Sequence, residues 1–384
     1  MPTDTYCVLP WQSLSIDNQG RSRICCNNDA HYRSHDGVRI NECGTASEAM
    51  HTDYHRQVRA ALANGEQHAS CSKCWDMERR GGRSFREIWN SILPDVVKTP
   101  TVRYLDVTLG NKCNLTCRMC NEWNSHLWQI DNQRMGRRSD PNISNTRWFE
   151  ASNVRKLISD NLSTVTHINF LGGEPLIVPE QLELLRSCLN SGRAHEISLS
   201  YNTNMTTLLG SQLELWRGFK RVDLSVSLEG VGIHNDYIRQ NSRWADIERN
   251  IYAVLGNANV HMTVHATFGM LNALTVCELA RWATEHSAFG GRLPWLNIVH
   301  WPANQDPRHL PDCAKTLVRE RLLGAVRDLE ADPSYASWIS AARHLDQRSD
   351  SAQWHSFWSD ADQLDAYKHT DIGLSLPELA SYRP

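Results

Sequence analysis

Between residues 101 and 300 short apolar runs with β character alternate with helical patterns, and this alternation restricts the fold more than any other feature. Strands are expected at Val102–Leu109, Thr166–Leu171, Glu196–Tyr201, Arg221–Leu228, Val260–Thr267 and Trp295–His300. Helical spacing fills the gaps at Trp148–Ser159, Pro179–Asn190, Ser211–Arg217, Trp244–Leu255 and Leu274–His286. Right-handed crossovers then produce an α/β fold with a parallel sheet, open or curled into a partial barrel. In such folds the loops after the strand C-termini build the active site.

The flanks read differently. Residues 1–100 are irregular and rich in Cys and His, with one expected helix at Tyr54–Ala63 closed by Gly65. Their composition points to a small domain held by a metal centre. Residues 301–384 form a helical appendage, with an amphipathic helix at Ala314–Asp332 followed by Trp338, Trp354 and Trp358. The polar stretch Asp131–Asn145 reads as a solvated insertion. The expected domains are therefore 1–100, 101–300 and 301–384.

The net charge is -3, from 40 basic and 43 acidic side chains, so the chain is not a strongly basic nucleic-acid binder. No run approaches the 18 or so apolar residues of a membrane span, and Met1–Trp11 lacks the pattern of a signal peptide. A cytoplasmic location is expected, and in that reducing compartment the 12 cysteines are not a disulfide framework.

Cys188, Cys277 and Cys313 stand alone, the first two in apolar helical patterns that suit small core residues. The other nine fall in two groups. Cys113, Cys117 and Cys120 form a C-x-x-x-C-x-x-C array that starts four residues after the first expected strand of the α/β region. Three thiolates on one tight loop suit three irons of a [4Fe–4S] cube, leaving the fourth iron open, and a zinc site is the competing reading. In the N-terminal group Gly20 suits a hairpin turn that would bring Cys7 to Cys25, with Cys71 and Cys74 adding two more thiolates. Four cysteines complete either a second cube or a tetrahedral zinc site, and spacing does not choose between them. Cys26 could replace its neighbour Cys25, and Cys43 reads as a spare thiol.

Four motifs, in order and each at a strand end, resemble those of the radical S-adenosylmethionine (SAM) superfamily. They are the cysteine array, the Gly-Gly-Glu-Pro element within Phe170–Pro175, Ser200–Asn204, and Val226–Gly230 followed by His234 and Arg239. The resemblance implies a partial (β/α)6 barrel of the TIM type. It also implies a cluster that passes an electron to bound SAM, releasing methionine and a 5′-deoxyadenosyl radical that takes hydrogen from a substrate. It assigns Gly172, Gly173, Glu174, Asn202, Ser227, Arg239 and Met119 to SAM binding, with Glu174 on the ammonium and Arg239 on the carboxylate. Two residues depart from the family pattern: Met119 stands where an aromatic is usual, and Met205 replaces a glycine.

The N-terminal group, with Cys7–Trp11, Gly20, Glu78, Ser84 and Arg86, resembles half of a SPASM domain, the reduced form called twitch, although in most members that domain follows the barrel. Such domains hold auxiliary [4Fe–4S] clusters, which implies an oxidative reaction on a peptide or protein side chain or a sugar-type small molecule. A reductant such as flavodoxin or ferredoxin would supply electrons. A redox-neutral epimerisation or isomerisation, with Cys313 as a conceivable hydrogen donor, is the alternative within this class. A non-catalytic zinc scaffold is the alternative outside it.

Overall fold

The computed structural model describes residues 4–28, 39–43, 46–79, 82–93, 99–143, 147–150, 159, 162–327 and 329–384. Eight strands form a sheet: β1 (Ser13–Ile16), β2 (Ser22–Arg23), β3 (Tyr104–Thr108), β4 (His167–Leu171), β5 (Ser198–Thr203), β6 (Arg221–Ser227), β7 (Val260–Phe268) and β8 (Trp295–Ile298). Their order is β2-β1-β3-β4-β5-β6-β7-β8. The pairings β1–β3, β3–β4, β4–β5 and β7–β8 are parallel, and β2 runs antiparallel to β1. All six expected strands are present, with ends that differ from expectation by a few residues.

The pleat explains the sequence pattern. Along β6 and β7 buried apolar residues alternate with half-buried polar ones, because successive side chains point to opposite faces. In β3 to β5 the register sets Asp106 beside Asn169, and Asn169 beside Ser200. One face of the sheet is therefore polar. Helices Glu180–Asn190, Gly210–Trp216, Trp244–Val254 and Val276–Glu285 follow the expected pattern closely. The helix expected at Trp148–Ser159 lies mostly outside the described residues; Trp148–Glu150 is a 3-10 turn.

Two compact units divide the chain. The first comprises Met1–Cys113, Asp140–Tyr201 and Gly210–Val222. Here the N-terminal segment does more than surround cysteines. Its hairpin extends the sheet, with Gly20 at φ 78° closing the turn on Asp17, whose carboxylate accepts from the N–H groups of Gln19 and Arg21. It also buries an apolar cluster: Val8, Leu9, Ile24, Val58, Leu62, Trp75 and Trp89, with Tyr104 of β3 stacked on Trp89. The expected helix at Tyr54–Ala63 is observed at Asp53–Ala63, capped by Thr52.

The second unit comprises Asn114–Ser139, Asn202–Leu209 and Asp223–Pro384. The appendage is three longer helices, Asp312–Ala325, Tyr335–His344 and Ser351–Lys368, and two short ones. The first ends at Ala325, seven residues before the expected Asp332, one residue past Gly324, the residue type that most weakens a helix after proline. The isolated tryptophans belong to its core: Trp338 is fully buried with its indole N–H donating to the Pro294 carbonyl, and Trp354 packs with Phe357 and Trp358. Within the stretch read as a solvated insertion, residues through Arg134 finish a helix, His126–Arg134. Among the described residues no helix is long and apolar enough to cross a membrane.

Candidate active site and cysteine centre

In the first unit Cys7, Cys25, Cys71 and Cys74 line one pocket together with Ile24, Trp75 and Arg86. The hairpin carries Cys25 back toward Cys7, and the helix Ser72–Arg79 begins between Cys71 and Cys74. Burial pushes the Cys7 thiol well up, and the nearby Cys25, Cys71 and Cys74 add to it. Burial likewise lifts Cys25 to about 12, again reinforced by Cys71 and Cys74. Backbone N–H groups point at three of the sulfurs: Leu9 at Cys7, Asn27 at Cys25, and Arg86 and Phe85 at Cys74. Amide hydrogen bonds of this kind tune iron–sulfur centres.

Zinc sets a defined sulfur spacing. In a zinc tetrahedron with bonds of about 2.3 Å the sulfurs stand roughly 3.8 Å apart. Among the described residues no three cysteine sulfurs lie within 4.8 Å of one another.

The surrounding residues are tied to this pocket. Arg86 pairs with Glu78 at 2.8 Å, donates to the Tyr6 carbonyl at 2.7 Å and lies over the Trp75 ring. Ser84 caps the helix Phe85–Ile92 in a reciprocal box with Glu87 and donates to Glu78. Cys26 faces elsewhere: its thiol hydrogen-bonds the Asp106 carboxyl, which also accepts from Ser15 at 2.8 Å and Asn169 at 2.9 Å. Burial pushes the Asp106 carboxyl up, against those hydrogen bonds.

Also in the first unit, the Gly-Gly-Glu-Pro element follows β4. A Cβ on Gly173 would stand 2.2 Å from the Lys112 carbonyl oxygen, and one on Gly172 2.7 Å from that of Gly110. Gly172 has a φ of 125°, which side chains rarely adopt. The close approach is thus to the backbone leading into Cys113. Two hydrogen bonds fix it, Gly173 N–H to Gly110 and Glu174 N–H to Lys112. Glu174 is buried, with one carboxylate oxygen accepting the Leu176 N–H at 3.0 Å. Cys113 at the end of this segment is buried.

In the second unit the rest of the cysteine loop is held from several sides. The N–H groups of Thr116 and Arg118 donate to the carbonyls of Gln240 and Ile238, placing the loop against the segment that carries Arg239. Trp128 donates to the Cys117 carbonyl, and Ser125 to that of Leu115. Asn204 donates to Asn114, which donates to Thr206. Met205 is buried with φ 57°, a left-handed backbone that accounts for a glycine being usual at that position. Cys117 is buried; Cys120 and Met119 are half-buried.

Arg239 forms a 2.6 Å ion pair with Glu229, which is completely buried and also accepts the Thr267 N–H. Burial pushes the Glu229 carboxyl up, and the Arg239 charge opposes that. Asn202 is exposed on β5, Ser227 half-buried at the end of β6, and His234 lies 3.3 Å from Glu278. Cys313 is exposed at the start of Asp312–Ala325, and Cys188 is fully buried.

The residue that sequence reasoning passed over is Arg118, between the second and third cysteines. Its guanidinium is buried and reaches Asp365 at 2.5 Å, Thr370 at 2.7 Å and the Tyr237 carbonyl at 3.0 Å, lying over the Tyr237 ring. Lys368 adds contacts to Thr116 and Asp131. The appendage thereby anchors the cysteine loop. A charged residue inside a metal-ligand loop was the signal available, but its partner lies 247 positions away.

Residues 107–282 match the model of the radical SAM superfamily. The match is to this stretch, which is less than half of the chain. That family implies a [4Fe–4S] cluster and SAM as cofactors. Solved structures similar to this chain include Streptococcus suis SuiB bound to S-adenosylmethionine, at 13% identity and TM-score 0.39, covering 74% of this chain and 60% of that one. SuiB bound to the precursor peptide SuiA gives 14% and 0.40, covering 75% and 53%. SuiB alone gives 14% and 0.39, covering 72% and 57%. This chain thus spans less than two thirds of the length of these structures. No curated protein sequence gives a significant match.

Proposed function

We propose that the chain is a radical SAM enzyme with two clusters, carrying out an oxidation of a peptide or protein side chain or of a sugar-type small molecule. Cys113, Cys117 and Cys120 would hold the cluster that binds SAM, supplying the electron that opens the sulfonium bond to a 5′-deoxyadenosyl radical. Cys7, Cys25, Cys71 and Cys74 would hold an auxiliary [4Fe–4S] cluster in a twitch-like domain. The observation that carries this second assignment is the meeting of four cysteines, distant in sequence, around one pocket. The amide N–H groups aimed at the sulfurs suit a cube, whose potential such hydrogen bonds tune.

The chain's own residues have separate tasks. Gly172 and Gly173 let β4's loop lie against the backbone that delivers Cys113. Arg118 fixes the loop between Cys117 and Cys120. Arg239 is proposed to act through its pair with Glu229, and Glu174, Asn202, Ser227 and Met119 keep the roles toward SAM that the resemblance implies. With four cysteine ligands the auxiliary centre has no open iron, which suits acceptance of an electron from a substrate radical. A flavodoxin or ferredoxin is the proposed reductant, and the cytoplasm the proposed location.

The test is anaerobic reconstitution with iron and sulfide, then incubation with dithionite and SAM. The reconstituted enzyme is expected to release 5′-deoxyadenosine, and Cys113→Ala/Cys117→Ala/Cys120→Ala to release none. A folded Cys71→Ala/Cys74→Ala variant is expected to retain slow cleavage. Failure of the loaded native enzyme to cleave SAM would overturn the proposal.

A further inference from the structure

We propose that His300, Asp306 and His344 form a binding site for a single divalent cation of the class that takes imidazole and carboxylate ligands, zinc above all. The three come from separate places in the second unit. His300 lies two residues beyond β8, Asp306 sits between the 3-10 turns Ala303–Gln305 and Pro307–His309, and His344 ends the helix Tyr335–His344. One ligand atom from each lies within 4.8 Å of the other two. His344 Nε2 stands 2.7 Å from Asp306 Oδ1, and His300 Nδ1 stands 3.5 Å from Asp306 Oδ2. Ligand atoms bound to zinc at about 2.0–2.2 Å are roughly 3–3.5 Å apart. The constellation therefore needs only small side-chain adjustment to close on an ion.

A second observation points the same way. Asp306 is completely buried, yet its Oδ2 has only two long contacts, His300 Nδ1 at 3.5 Å and Arg308 Nε at 3.4 Å, and no hydrogen bond of good geometry. Its Oδ1 is occupied by His344 and the Arg308 N–H. A buried carboxylate oxygen so poorly served by donors is costly, and such atoms call for an explanation. A cation at Oδ2, reached by His300 from the solvent side, supplies one.

The local charges set the competition. Arg308 Nε lies 3.4 Å from the same Oδ2 and is the resident counter-charge. Its side chain is about a third exposed and also donates to His309 and Gln347 at 3.3 Å, so metal binding would shift it toward those partners and solvent. His309 is engaged by the Asp350 N–H, which leaves the two histidines facing Asp306 as ligands. Three protein ligands leave at least one coordination position for water or a further ligand. The ion would tie the segment after β8 to the helix Tyr335–His344.

The experiment uses the enzyme with its clusters assembled, so that the cluster cysteines do not compete. Equilibrium dialysis against buffered zinc, followed by metal analysis, is expected to show one zinc per chain beyond the iron. His300 is largely exposed, so His300→Ala keeps the fold, judged by unchanged iron content. That variant is expected to bind zinc at least about 10–100-fold more weakly, the loss typical of disturbing even an outer partner of a metal ligand. X-ray absorption of the bound zinc is expected to show nitrogen and oxygen neighbours. No extra zinc, zinc held equally well by His300→Ala, or sulfur in the coordination shell would each overturn the proposal.

Discussion

Replacing Asp365 with Ala tests how the cysteine loop is held. Asp365 accepts hydrogen bonds from Arg118 at 2.5 Å, the Tyr237 hydroxyl at 3.0 Å, the Thr370 hydroxyl at 2.8 Å and the Ile372 N–H at 2.8 Å. The Arg118 side chain is 2% exposed and that of Asp365 13%, so the pair is buried. Removing one partner of a buried pair leaves an uncompensated charge and costs about 3–5 kcal/mol. Arg118 retains the Tyr237 carbonyl, Thr370 and the Tyr237 ring, which places the expected loss near 3 kcal/mol, the lower end of that range. Denaturant unfolding of the native and variant proteins at matched iron content measures it. Arg118→Met/Asp365→Ala strands no charge and is expected to be less damaged than the sum of the single changes. Asp365→Ala should also lose iron from the loop faster, because Arg118 lies between Cys117 and Cys120. A loss below about 1 kcal/mol, as for an exposed pair, with unchanged iron retention would refute the anchoring argument.

Other perturbations have defined outcomes. Arg239→Ala leaves the fully buried Glu229 unpaired, so a loss of about 3–5 kcal/mol should accompany any weakening of SAM binding, and Arg239→Ala/Glu229→Gln should recover much of the stability; calorimetry and SAM titration separate the two. Gly173→Ala forces a methyl toward the Lys112 carbonyl, 2.2 Å away, and should cost at least about 1–3 kcal/mol, visible as poor iron incorporation in the first cluster. Burial holds His265 down at about 4. Its folded form stays neutral while the unfolded chain gains a proton near pH 6.5, so stability falls as pH drops from there toward 4. The drop from 6.5 to about 4 amounts to about 3 kcal/mol, and His265→Gln should flatten melts recorded across that window.

The strands were legible because half-buried sheets alternate and because the cysteine and Gly-Gly-Glu-Pro motifs sit at their ends. The hairpin was legible from one glycine, since Gly20 adopts a backbone that other residues avoid. Two things were not. The pairing of β1 with β3 joins Ser13–Ile16 to Tyr104–Thr108, and no local pattern announces a partner so far along the chain. The work of the appendage was equally hidden, because Asp365 on a polar helix looks like any solvated carboxylate until Arg118 is seen beside it. The glycines show a subtler limit. Their need for close approach was readable, but the neighbour is the chain's own backbone at Gly110 and Lys112. Arg239 likewise has a carboxylate partner, Glu229, within its own motif.

The most direct test of the two-cluster account is iron and sulfide analysis of the Cys113→Ala/Cys117→Ala/Cys120→Ala variant after anaerobic reconstitution. The native chain should bind roughly eight iron atoms, from two four-iron cubes. The variant should keep about four iron and four sulfide, held by Cys7, Cys25, Cys71 and Cys74. A folded variant with no iron, or with a single zinc in that pocket, would contradict the account.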